Sequence, residues 1–165
     1  MGTRSRIGVM HGDVCKSVYC HWDGYLDHNG RILQEHYDSA RANHLVALGD
    51  ISSLGVKIGD AHPFSKFEIN NESPDFAKLM AVHEQAEKEG WTTFYARDRG
   101  EQGTEFKSAM TFADFMVQVE NCGAEYYYIM KDGAWYTGCP GEGDALVPLA
   151  DALTPVAKTW ETVDL

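Results

Sequence analysis

The sequence predicts an α+β domain, an antiparallel or mixed sheet with helices packed on it. Three observations predict it. Two short alternating segments flank Gly12-Asp13 near the N-terminus. A second such pair flanks Asp132-Gly133. Between them lie segments of helical periodicity with capping residues at their ends.

Residues 4–10 and 15–23 read as strands. A two-residue loop at Gly12-Asp13 places Ile7 opposite Val18, Ser5 opposite Cys20 and Thr3 near Trp22, a mostly apolar face. On the other face Arg6 meets Tyr19, Arg4 meets His21 and Gly8 meets Ser17. A slip of one residue would mix the two faces. Residues 29–48 read as helical with a break near Asp38-Ser39, and Gly49 stops them. "GDISSLG" reads as a turn, since it lacks the Lys and spacing of a phosphate-binding loop. Residues 55–73 form an irregular insertion.

Ser73, Pro74 and Asp75 then begin a helix whose stripe is Phe76, Leu79, Met80 and His83, ended by Gly90. "WTTFYARDRG" reads as a strand, joined through "GEQG" to a second strand, "TEFKSAM". That connection makes "RDRGEQGTEF" a hairpin tip or a mobile loop over a pocket, with Arg97 and Arg99 on one face. Thr111 with Asp114 begins another helix, its core side Phe112, Phe115, Met116, Val119 and Cys122, stopped by Gly123. The last hairpin pairs Met130 with Trp135 and Ile129 with Tyr136, and the row Tyr126, Tyr127, Tyr128 calls for cover on both faces. Residues 138–165 are a loop-rich tail with a short helix. Residues 1–165 form one domain.

Composition narrows the function. The chain has 165 residues, 44% of them hydrophobic, enough for a core of its own. Its net charge of −11 repels a phosphate backbone and argues against nucleic-acid polymers as partners. No apolar run has the length of a membrane span, and "MGTRSRIGVMHGD" lacks the apolar stretch of a signal peptide. The expected location is therefore the cytoplasm. Cys15, Cys20, Cys122 and Cys139 read as free thiols there. Cys15 and Cys20 are five apart, on opposite faces of one strand, which disfavours a shared metal.

The densest polar stretch is "SVYCHWDGYLDHNGRIL", Ser17 to Leu33. Period two turns Tyr19, His21 and Asp23 away from Val18, Cys20 and Trp22, and Arg4 and Arg6 join them from the neighbouring strand. Forked guanidinium donors suit phosphate or carboxylate, and the rings of Tyr19 and His21 suit a base. The candidate ligand-binding set is Arg4, Arg6, Tyr19, His21, Asp23 and Tyr25. The plainer alternative pairs Arg4 with Asp23 and leaves Tyr19 and His21 as sheet cover. A second alternative groups His21, Asp23, Asp27 and His28 around a divalent ion, against a turn held by Asp27 or Asn29. His36 and His83 read as packed, His44 and His62 as surface. No Ser-His-Asp order is legible, and the adjacent Cys20 and His21 diverge. The pattern calls for no cofactor.

The segments "TRSRIG", "SVYCHWDGY", "NGRIL", "HY" and "LGDISSLG", with the late "AEYYYIMKDGAWY", resemble a family of small, mostly uncharacterised proteins of tailed bacteriophages and bacterial genomes. The resemblance spans the first third of the chain and residues 111–137. It brings no catalytic residues. It implies a phage or prophage accessory protein in the host cytoplasm, aimed at host defence. Joined to the Arg–Tyr–His set, this gives a non-catalytic binder that captures a small anionic nucleotide-like ligand, such as a host immune signal. The alternatives are a metal-dependent phosphodiesterase and a protein-binding inhibitor of a defence factor. Homo-oligomerisation, with the site inside one chain or between copies, stays open.

Overall fold

The first hairpin closes in the register its turn dictates. In the computed structural model, which describes residues 2–140 and 146–153, β1 (Ser5–His11) pairs antiparallel with β2 (Val14–Cys20). Arg6 faces Tyr19 and Ile7 faces Val18. The late hairpin, β6 (Tyr126–Lys131) and β7 (Ala134–Gly138), pairs Met130 with Trp135 and Ile129 with Tyr136. Asp132 and Gly133 both have positive φ, the twist such a two-residue loop requires.

β6 lies parallel to β1 and joins the two hairpins into one sheet. β3 (Ile51–Ser53) and β4 (Thr93–Phe94) extend it beyond β2, and β8 (Val147–Pro148) extends it beyond β7. The order is β4-β3-β2-β1-β6-β7-β8, with β5 (Lys107–Ala109) paired to β2 beside β3. The fold is therefore an α+β single domain on a mixed eight-stranded sheet.

Both faces of the centre are covered. On one side α1 (Arg31–His36), α2 (Ser39–Ala47) and α6 (Leu149–Leu153) pack on alternate residues of the central strands, Ile7, Val18, Cys20, Tyr128 and Met130 among them. On the other, α5 (Phe112–Asn121) lays Phe115 and Val119 on Cys15, Tyr127 and Ile129. Cys15 and Cys20 thus lie in different cores, and among the described residues no disulfide forms. Thr111 caps α5 by accepting from the Asp114 N–H at 3.0 Å. α3 (Phe76–Glu89) sits outside these layers and rests His83 and Ala86 inward.

The break between α1 and α2 has a job. Asp38 caps α2, while the Tyr37 hydroxyl donates to the Gly55 carbonyl at 2.8 Å and the Trp135 indole N–H donates to the Tyr37 carbonyl at 2.9 Å. A continuous helix would not present that carbonyl.

Several expectations are revised. "ISS" is strand, because the β2 edge after Cys20 needs partners. "YARDR" is helix, not strand: α4 (Tyr95–Arg99) is pinned by Asp98, which accepts the Phe94 N–H at 2.7 Å. Its partner segment pairs with β2 instead, so no hairpin tip exists at "GEQG". Arg97 is tied to Asp98 and to the Gly59 and Thr92 carbonyls rather than free beside Arg99. His62 is buried and His36 exposed, the reverse of expectation. Trp22 lies beyond the strand and is 43% exposed rather than inward. Among the described residues no helix is long and apolar enough to cross a membrane.

Candidate ligand-binding site

The outward face expected for Arg6 is itself covered. Arg6 is 1% exposed, held against the sheet on the α5 side. Its Nε donates to Ser17 Oγ at 2.8 Å and its Nη2 to the Ser17 carbonyl at 3.3 Å. Ser17 Oγ in turn donates to Gln118 of α5 at 3.3 Å. Two residues earlier on the same face, Arg4 is exposed. Its Nη1 reaches over Gly123, where a Cβ would stand 3.0 Å away; the bare glycine gives the guanidinium room.

Arg4, Tyr19 and His21 form a chain of donors. The Tyr19 phenol is half-buried, and burial raises its pKa, while the charge and hydrogen bond of Arg4 oppose the rise. A guanidinium only donates, so the Tyr19 oxygen accepts from Arg4. The same oxygen lies 2.5 Å from His21 Nδ1, in hydrogen-bond contact. With Nδ1 engaged by the phenol, Nε2 is the nitrogen left for a ligand. The Trp22 ring stands edge-on to His21, centroids 4.6 Å apart.

One acidic group belongs to this site that the sequence did not single out. Asp50 Oδ1 accepts the Tyr19 backbone N–H at 2.9 Å, at the point on β2 where β5 ends and β3 begins. Asp50 also accepts from the Tyr95 N–H through its carbonyl and donates its N–H to Thr104. Burial raises its carboxyl pKa; the Tyr19 N–H and the charge of Arg6 act the other way. Its signal was an acid directly before Ile51, visible only once "ISS" is taken as strand.

Asp23 and Tyr25 go elsewhere. Asp23 has φ 56° and starts a tight crossing over the beginning of β1. Gly24 follows, where a Cβ would lie 2.7 Å from Ser5 Cβ, and the Gly24 N–H donates to the Thr3 carbonyl at 2.7 Å. Tyr25 makes its ring contact with His28. Arg4 and Asp23 form no ion pair among the described residues; Asp27 pairs with Arg31 instead, at 2.9 Å. Nor do His21, Asp23, Asp27 and His28 gather: among the described residues no group of three or more such side chains could hold a metal ion.

The second half of the stretch is structural, and Asn29 is its centre. Asn29 is fully buried within a wide helical turn, Leu26–Gly30. Its Nδ2 lies 3.2 Å from Ser5 Oγ, 3.3 Å from Cys20 Sγ and 3.3 Å from the Trp22 carbonyl. The amide therefore bolts β1, the end of β2 and the crossing together. No protein-family model, curated protein or solved structure matches this chain.

Proposed function

We propose that this protein is a non-catalytic binder of a small anionic, nucleotide-like ligand, an accessory protein of phage or prophage type that captures a host signal. One observation carries the reading. Arg4 and Arg6 flank Tyr19 on one face of the sheet, and among the described residues neither enters an ion pair. In a chain of net charge −11, two arginines outside any direct ion pair, with Asp50 as the acid nearby, mark a place that favours an anion. Arg4 and His21 Nε2 supply contacts, and the buried Arg6 supplies charge from beneath. The exposed Trp22 beside His21 supplies ring surface. These are preformed donors, which binding needs.

The test is incubation with cyclic dinucleotides and with cyclic ADP-ribose products, followed by heat denaturation and chromatography of the released material. Capture returns the nucleotide unchanged, together with a rise in melting temperature. Altered product would replace binding by phosphodiesterase chemistry. No shift with any nucleotide, alongside a co-purifying host protein, would replace it by an inhibitor of that protein. Arg4→Ala removes a charge-assisted contact of about 1.5–3 kcal/mol, a loss of about 10- to 150-fold in affinity. Undiminished binding in that variant refutes the site. Native mass spectrometry reports the subunit number and any retained ligand together.

A further inference from the structure

We propose that Thr93 is a nucleophile activated by His62, in a second site that cleaves small carboxylic esters. The geometry shares no residue with the arginine face and does not depend on it. His62 Nδ1 lies 2.8 Å from the Asp60 carbonyl oxygen, which only accepts, so the neutral ring carries its proton on Nδ1. Nε2 is then an acceptor, and it lies 3.1 Å from Thr93 Oγ1. The hydroxyl hydrogen of Thr93 points at a basic nitrogen, the relation that activates a nucleophile.

The base is held on three sides. The Asp98 carboxylate, fully buried, lies 3.7 Å from Nδ1 and accepts the His62 backbone N–H at 3.1 Å. Arg97 fixes that carboxylate through Nε at 3.0 Å and Nη2 at 3.2 Å. The Trp91 ring stands 5.7 Å from the imidazole. Asp60 and Asp98 are thus positioning residues, with Asp98 placed to favour an imidazolium as it forms. His62 and Thr93 line one cavity of about 300 Å³ together with Ser53, Phe64, His83 and Trp91. That space suits a small acyl group with aromatic walls on two sides.

The step balances. Thr93 Oγ adds to the ester carbonyl carbon while its proton passes to His62 Nε2. The carbon–oxygen bond to the alcohol then breaks, and the alcohol leaves with that proton. Water attacks the acyl-threonine with His62 again as base, releasing the acid and restoring the hydroxyl. Ester and water become acid and alcohol, with no other reactant. The same hydrogen bonds also tether residues 59–63 to β4, so the test separates reactivity from tethering.

The probe is p-nitrophenyl acetate. Release of p-nitrophenol is followed on the whole protein, and the acetyl group is located by peptide mass spectrometry. Acetyl on Thr93 is expected. Thr93→Ser keeps the hydrogen bond, relieves methyl crowding and should react at least as fast. Thr93→Val should carry no acetyl at that position, and His62→Gln should be slower by about 100-fold. Melting curves establish that each variant is folded. A folded wild-type protein with no acetyl on Thr93, or a Thr93→Val variant that releases p-nitrophenol as fast as wild type, overturns the proposal.

Discussion

Replacing Asn29 with Ala removes the one side chain that joins three parts of the first hairpin and its crossing. The wild-type amide is fully buried, and its Nδ2 serves Ser5 Oγ, Cys20 Sγ and the Trp22 carbonyl. Its Oδ1 faces His28 Nδ1 at 2.9 Å. Truncation takes the amide donor from the Ser5 hydroxyl and leaves the part-buried Trp22 carbonyl only the weak Cys20 thiol contact at 3.7 Å. Each stranded group costs about 1–3 kcal/mol, and the thiol contact adds little. A loss of about 3 kcal/mol is expected, a large share of the roughly 5–15 kcal/mol that holds a domain together. At this chain length that lowers the melting temperature by about 6–12 °C. Urea denaturation followed by Trp fluorescence measures it, with an unchanged slope showing that only stability moved. Asn29→Asp should be worse near neutral pH, because a carboxylate faces a carbonyl where an N–H donor stood. It should recover as acid protonates the new group. If Asn29→Ala costs under about 0.5 kcal/mol, the value of an ordinary surface change, the stretch is not a structural bolt.

Arg6→Met should weaken anion binding through loss of charge while Arg4→Ala weakens it through loss of contact; isothermal titration calorimetry at two salt concentrations separates them, since the exposed Arg4 contact is screened more strongly. Asp50→Asn keeps an oxygen for the Tyr19 N–H and removes a buried charge. Because burial raises the folded pKa of Asp50, the folded state holds the proton longer than the unfolded chain. Stability from this group falls as pH rises from below 3.8 through the raised value. The variant should therefore lose that slope and be more stable at pH 7 in thermal melts; a more steeply declining curve would contradict the assignment. Burial pushes the Cys15 and Cys20 thiols up to about 11. At pH 8 only about one in a thousand such thiols is ionised, so iodoacetamide should spare both in the folded protein and label the half-buried Cys122 and Cys139 first. Mass spectrometry showing early modification of Cys20 would contradict its place in the core. Tyr37→Phe removes the donor to Gly55 and should cost about 1–2 kcal/mol in the same urea titration.

The sequence by itself determined the parts whose rules are local. The Asp132-Gly133 and Gly12-Asp13 loops set both hairpin registers, since a two-residue loop admits one pairing. Thr111 and Asp114 announced α5, and Asp38 announced the break before α2. Opposite faces for Cys15 and Cys20 followed from the pleat. What the tertiary structure decided is which exposed edges and faces receive neighbours. β1 became central because β6 pairs with it in parallel from more than a hundred residues away. That pairing brings α5 over Arg6, turning a face that reads as solvent-exposed into an interior, and of the two arginines leaves Arg4 at the surface. The irregular segment around His62 acquired its order from Asp98 and Arg97, side chains distant in sequence whose hydrogen bonds replace the missing backbone ladder. Local preferences carry no information about such meetings. They arise when buried N–H, C=O and charged groups must each find a partner, and only the folded chain brings those partners within reach.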